Sequence, residues 1–393
     1  MEQLPKEMLA FILSKLDGIS LVKAQRVCKL WYDIIHSFER HFYIWLLTCL
    51  KEIPLNNIVE LTEIWDLLLL REVNLLSECK RLPWTYWRDI YAEYNRCELI
   101  RTREHYLTEL CYYQQSGQVT SLALRDPKLY ISDYQLLSGH EDGSVLCWNN
   151  IDDCPECSLL HKHHRVITDI CVTTSGKTVE DLMSGENDSI VITSSQDTKV
   201  IINNMTTGQS TSVSHYSKQV NTVSCFGLLF LAGGNGNILL GQPVWEITLE
   251  KNYRDLHIEK AYKLYGHESS VITSVAVWQN RIRITQVLAG DDIGYLYSWK
   301  LNTDNENKSH DHQLVMANLG STIKQILFRG ELIICLTADG IIHVSTNSKD
   351  FKTYNVYSSL QKIPECIAVR GPLFVIGTKA VKFWLIDKAT WPN

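Results

Sequence analysis

Cys154 and Cys157 stand three residues apart, and His161, His163 and His164 follow within ten residues of Cys154. Thiolate and imidazole are zinc ligands, so the run invites a metal centre. The spacing is cramped for a tetrahedral site, and the run falls where a strand and its connecting loop belong. His161 and His163, two apart, share one face of such a strand. The reading is a solvated loop and no metal site. Gly233-Gly234-Asn235-Gly236 has the glycine content of a phosphate cradle, but a strand pattern follows it instead of a helix. Asp291 and Asp292 are neighbouring carboxylates, and a turn between two strand patterns accounts for them. Arg96, Arg101 and Arg103 gather near Tyr94; a solvated helix face explains them better than contact with nucleic acid. No nucleophile elbow, phosphate loop or zincin helix occurs. These residues together predict a non-catalytic protein without a cofactor.

The chain that must position them has 393 residues, enough for two or three domains at about 150 residues each. Hydrophobic residues make up 45% and charged residues 21%, so the chain can bury a core. Forty-four acids against 38 Lys plus Arg give a net charge of −6, which argues against a general polycation for nucleic acid or anionic lipid. Twelve cysteines are too sparse for a disulfide scaffold. The start lacks a basic, then apolar, leader pattern. Phe42–Leu50, the longest apolar stretch near it, falls well short of the roughly 20 residues that span a bilayer. An intracellular protein, cytoplasmic and/or nuclear, with reduced thiols and no membrane partner is expected.

Two periodicities divide the sequence. Up to about residue 103 the pattern is helical. Met8, Leu9, Ile12, Leu13 and Leu16 form one stripe; Leu21, Ala24, Cys28, Trp31 and Ile35 form a second. Further helices are expected over Phe38–Leu50, Ile58–Leu76 and Trp84–Arg96. From about 104, six apolar hairpins recur, each preceded by another apolar strand: Val119–Leu124, Val166–Val172, Val220–Phe226, Val271–Val277, Ile323–Phe328 and Pro364–Val369. Units of this kind at about 40–55 residues are a propeller signature, because a ring of small sheets buries faces that one sheet cannot. Little chain follows the last hairpin, so residues 105–113 are expected to supply its outer strand. Six blades are favoured; a seventh can hide between Gly241 and Trp299.

The N-terminal residues resemble an F-box: Leu4-Pro5, Glu7, Ile12-Leu13, Leu16, Leu21, Val27-Cys28 and Trp31 follow that family's pattern over about residues 3–36. The second half resembles WD-repeat propellers more loosely, with Trp148, Trp299 and Trp384 kept and one good Gly266-His267 pair. Trp87-Arg88-Asp89-Ile90-Tyr91 is similar to the linker helix joining such domains. The composite resembles the F-box/WD-repeat family, substrate receptors of SCF-type cullin ubiquitin ligases. The expected architecture is multidomain. An all-α F-box (1–37) and a helical linker (38–103) precede an all-β WD-repeat-like propeller (104–393).

The resemblance implies a substrate-recognition subunit of an SCF-type ligase. Its F-box binds a Skp-type adaptor, and through it a cullin, while the propeller holds an unknown protein for ubiquitination. The alternative is a propeller scaffold that binds the adaptor or other proteins without directing degradation. Adaptor-binding residues by this reading are Leu4, Pro5, Leu13, Leu16, Leu21, Val27, Cys28 and Trp31, more apolar groups than a 35-residue unit can hide. Helices 38–103 are expected to act as a rigid spacer. Receptors that read phosphorylated segments place Arg at two positions per blade on the narrower face. Here the first set is Thr120, Ile167, Asn221, Ile272, Lys324 and Glu365, the candidate substrate face. The second is Glu141, Gln196, Gly234, Asp291, Ala338 and Thr378. One Lys and no Arg among them argue against phosphate recognition at that face.

Overall fold

The structure is a computed structural model that describes residues 5–41, 43–62, 64, 67, 72–102, 107–114, 118–125, 135–149, 156–174, 189–213, 219–226, 229–234, 237–241, 270–280, 284–302, 314–329, 332–345, 350–355, 363–370, 373–378 and 380–386. Two compact units divide the chain, one helical and one built of strands.

The helical unit contains α1 (Lys6–Leu13), α2 (Gly18–Ala24), α3 (Lys29–His41), α4 (Ile44–Glu52), α5 (Leu55–Thr62), α6 (Glu72–Cys79) and α7 (Trp84–Thr102). Asp17 caps α2, its carboxylate accepting from the Ser20 N–H at 2.7 Å. The expected helix over Phe38–Leu50 is two helices, because Tyr43 adopts left-handed backbone (φ 50°) between α3 and α4. α3 therefore crosses the expected boundary at residue 37. The expected helix over Ile58–Leu76 is likewise divided between α5 and α6. The second apolar stripe is also broken, since residues 25–28 form a turn between α2 and α3. Leu13, Leu21, Ile35, Trp45, Ile58 and Trp87 are buried at the centre. Each removes apolar surface worth about 1.5–3 kcal/mol from water. Trp87 donates its indole N–H to the Cys79 carbonyl at 3.0 Å, so the ring is buried without an orphaned donor. Among the described residues, no helix is long and apolar enough to cross a membrane.

Among the described residues, the strand unit holds six sheets. The first runs Val119–Arg125, Gln135–His140, Ser144–Asn149 and Glu156–Lys162; the second Ile167–Thr174, Ser189–Ser195, Val200–Asn204 and Ser210–Val213. The third is described as Thr222–Phe226, Leu229–Gly234 and Asn237–Gly241. The fourth runs Ile272–Asn280, Ile284–Asp291, Tyr295–Asn302 and Leu314–Asn318; the fifth Ile323–Arg329, Leu332–Thr337, Ile341–Ser345 and Lys352–Asn355. The sixth comprises Cys366–Arg370, Leu373–Gly377 and Ala380–Ile386, and Leu107–Gln114 pairs beside Ala380–Ile386 as its outer strand. The first strand of each sheet packs beside the first strand of the next, and that of the sixth beside that of the first. The result is a closed β-propeller. Residues 242–269, where a seventh unit would fall, lie outside the described residues; the inner strands on either side of them are direct neighbours. Cores form between blades, as where Leu122 and Leu124 of the first meet Cys366 and Ala368 of the sixth.

Candidate functional site

Two surfaces bring together the residues singled out above, one on each unit. On the helical unit, Met8, Phe11 and Ile12 lie at helical spacing along α1 and are exposed, Phe11 by 65%. Ile19 on α2, Val27 in the following turn (62% exposed) and Tyr32 on α3 add to the exposed apolar set. Lys15 sits over the Phe11 ring at 5.0 Å. A cleft of about 450 Å³ opens beside Phe11, between α1 and α4, and Leu16, Ile44, Leu47 and Lys51 line it. A concentration of this kind on a unit of a few short helices marks a surface made for a partner.

Among the sequence-predicted adaptor residues, Leu4 lies outside the described residues. Pro5 is exposed at the start of α1, Val27 and Cys28 are exposed, and Leu16 and Trp31 are half-buried. Leu13 and Leu21 are corrections, because both are buried in the helical core and have no free surface to offer. Sequence reasoning missed Phe11, Ile19 and Tyr32. The signal was the crowding of apolar residues on both faces of α1, which a single inward stripe does not explain.

On the strand unit, the propeller mouth is ordered by β-bulges. The inner strands skip one residue in their ladder at Thr120, Thr168, Thr273 and Lys324. The last three of these side chains, and Asn221 at the equivalent place in the third blade, reach to the next blade. Thr168 donates to the Val220 carbonyl at 2.7 Å, Asn221 to that of Ile272 at 3.2 Å, Thr273 to that of Ile323 at 2.6 Å and Lys324 to that of Pro364 at 3.3 Å. The residue before each bulge is buried. Ile167 and Ile272 are therefore corrections: they are core residues, and Thr168 and Thr273 take their places at the mouth. The apolar pairs Val166-Ile167 and Val271-Ile272 hid this one-residue offset. Asp291 is a third correction. It is buried and caps its turn, its Oδ1 accepting from the N–H groups of Gly294 at 2.8 Å and Tyr295 at 2.7 Å, and Asp292 holds the exposed position. With these changes the candidate positions, among the described residues, still hold one cation, Lys324, ion-paired to Glu365 at 2.5 Å.

One residue past Thr120, Thr168, Asn221, Thr273 and Lys324 lies a second ring of polar side chains, which sequence reasoning missed. Ser121 accepts from the Ile170 N–H at 3.0 Å, Asp169 from that of Val223 at 3.1 Å, Thr222 from that of Val275 at 3.2 Å, Ser274 from that of Ile326 at 2.8 Å and Gln325 from that of Ile367 at 2.7 Å. Burial pushes the Asp169 carboxyl up to about 6, against the hydroxyl of Thr222 and the other donors that favour its charged form.

Among the described residues, the histidine run does not assemble into a metal cluster with Cys157. Cys154 lies outside the described residues, and Cys157 is exposed. His161 and His163 both hydrogen-bond the Thr193 hydroxyl, at 2.9 and 3.0 Å, and His163 Nδ1 meets Asp197 at 3.1 Å. They clamp the last strand of the first blade to the second. Burial, then the neighbouring His163 charge, lowers His161 to about 4. Among the described residues, no cluster of three or more His, Cys, Asp or Glu side chains could hold a metal ion.

A family model for the F-box-like domain matches residues 1–44. No curated protein matches the chain in sequence. Among solved structures, the crystal structure of the WD40 beta propeller domain of Doa1 is similar at 11% identity and a TM-score of 0.45, covering 73% of this chain and 99% of that one. The chain thus carries an F-box-like domain followed by a β-propeller.

Proposed function

We propose that the chain is a substrate-recognition subunit of an SCF-type ubiquitin ligase. Its F-box-like domain binds a Skp-type adaptor, and through it a cullin; its propeller holds a protein substrate while the associated conjugating enzyme does the chemistry. The observation that carries the reading is the exposed apolar set Met8, Phe11, Ile12, Val27 and Tyr32 inside the matched residues 1–44. Aromatic and aliphatic anchors of this kind supply most of the affinity in a protein interface. The propeller mouth, with hydroxyl and amide side chains engaged between blades and its one lysine paired, suits a substrate read by shape and backbone rather than by phosphate. The test is co-expression with a Skp-type adaptor and the cullin N-terminal domain, beside a Phe11→Asp/Val27→Asp variant. A stoichiometric complex lost in the folded variant supports the reading. No complex with the unaltered chain overturns it and leaves a propeller scaffold.

A further inference from the structure

Cys171 and Cys225 stand on adjacent inner strands, Ile167–Thr174 of the second blade and Thr222–Phe226 of the third. Contacts near the mouth set these strands level. Thr168 donates to the Val220 carbonyl at 2.7 Å, and the Asp169 carboxylate accepts from the Thr222 hydroxyl at 2.8 Å and the Val223 N–H at 3.1 Å. Two residues beyond Asp169 and Val223 come Cys171 and Cys225. Side chains alternate along a strand, so Cys171 faces the third blade with Asp169, and Cys225 faces the second with Val223. Both pack against one core that the two blades share, including Ile190, Ile192, Val220 and Val223. Their side chains hydrogen-bond each other. Both are free thiols and half-buried, whereas Cys49, Cys79, Cys147, Cys335 and Cys366 are buried. Cys49 and Cys79 also lie near each other, in the helical unit, but neither has any exposed surface.

We propose that Cys171 and Cys225 are a peroxide-sensitive modification site, forming a reversible disulfide that staples the second blade to the third. A bridge requires side chains that point at each other across a short gap, which two facing thiols in hydrogen-bond contact provide. One sulfur attacks the peroxide O–O bond and becomes a sulfenic acid, with loss of one water. The other sulfur then displaces the hydroxyl, which leaves with that thiol's proton as a second water. Two thiols are oxidised to one disulfide and one hydrogen peroxide is reduced to two waters. Half-burial admits a small oxidant, and the sealed pair Cys49 and Cys79 serves as the internal comparison. Burial first, then the neighbouring Cys225 side chain, raises the Cys171 thiol well above its ordinary value, so oxidation is expected to be slow at neutral pH. Disulfides of this kind inside reducing compartments are transient and redox-sensing. The bridge would close the seam just beyond the Asp169 contacts, and it does not depend on the ligase reading.

The experiment is a time course of the folded full chain in hydrogen peroxide, quenched by alkylation and read by mass spectrometry of unreduced tryptic peptides. Cleavage after Arg165, Lys177, Lys218 and Lys251 isolates each thiol, since peptide 166–177 holds Cys171 alone and peptide 219–251 holds Cys225 alone. These two peptides should appear linked before any other cysteine pair, and dithiothreitol should return both to the alkylated form. In Cys225→Ser, checked for folding by circular dichroism, peptide 166–177 should stay unlinked. The unaltered chain needs no substitution and decides the matter by itself if that variant unfolds. In urea the preference for this pair should disappear, because the fold creates it. Both thiols remaining alkylatable in oxidised, folded chain would overturn the proposal. So would equal linkage to Cys28, Cys157 or Cys49, or the same preference in urea.

Discussion

The Tyr91 hydroxyl on α7 donates a 2.6 Å hydrogen bond to the Glu52 carboxylate on α4. The same carboxylate accepts the Gly18 N–H at 3.3 Å, at the first residue of α2. A β-carbon on Gly18 would collide with the Tyr91 ring. Gly18→Ala should therefore destabilise the helical unit by about 1–3 kcal/mol, from overpacking alone. Tyr91→Phe should cost about 1 kcal/mol, from the lost bond. Urea unfolding followed by helical circular dichroism measures both; an unchanged midpoint for Gly18→Ala would contradict the packing.

Exposed and buried apolar residues of the F-box-like domain should separate in mutation. Phe11→Asp and Val27→Asp are expected to abolish adaptor capture while moving the melting temperature little. Leu13→Ala and Leu21→Ala should cost about 2–5 kcal/mol, as buried truncations do. Pull-down and thermal melting on the same four variants decide it; capture lost from Leu13→Ala at unchanged stability would return that residue to the interface.

Hydroxyls at the propeller mouth should differ by blade. Thr273→Val removes the donor to the Ile323 carbonyl and should cost about 1–3 kcal/mol, because that group is left unpaired. Thr120→Val should be close to neutral, since its buried Oγ1 has no hydrogen-bond partner among the described residues. Equal losses for the two would show that the hydroxyls do not bridge the blades.

Acid should loosen the first-to-second blade clamp. His161 titrates near 6.5 when unfolded and is held at about 4 in the fold. Between those values the unfolded chain binds more protons, so this contribution is present above pH 6.5 and is lost as pH falls toward 4, by about 3 kcal/mol at most. Asp169 runs the other way. Its folded value near 6 exceeds the unfolded value near 3.8, so the fold gains from this group as pH falls between them. The clean observable is the difference between the unaltered chain and His161→Gln, which should shift against the unaltered chain from pH 6.5 to 4.5. A pH-independent difference would refute the assignment.

Much of this architecture was legible in sequence, for physical reasons. Hairpins such as Gln135–Gly139 with Ser144–Trp148 announce themselves through alternating apolar residues around a tight turn, and each lies within strands that pair in the structure. Helix ends were less readable. Tyr43 breaks a helix through a backbone conformation that its side chain does not advertise. The mouth register failed at Val166-Ile167 and Val271-Ile272, where two apolar neighbours left the start of the repeat open and only a bulge distinguishes them. The inner ring through Asp169 was invisible because its partners are backbone groups of strands about 50 residues away. Leu13 and Phe11 show the same limit on the helical unit. Both are apolar, and only the packed helices decide which is core and which is surface.

The outer strand Leu107–Gln114 of the sixth blade has a consequence for synthesis. Its partner, Ala380–Ile386, leaves the ribosome more than 260 residues later. At a handful of residues per second, the nascent chain carries an unpaired strand edge for tens of seconds. During that interval the segment can pair with the wrong neighbour, and the ring cannot lock until Ala380–Ile386 has emerged. A chain stalled before residue 380 would then be an open coil of blades, a ready client for chaperones.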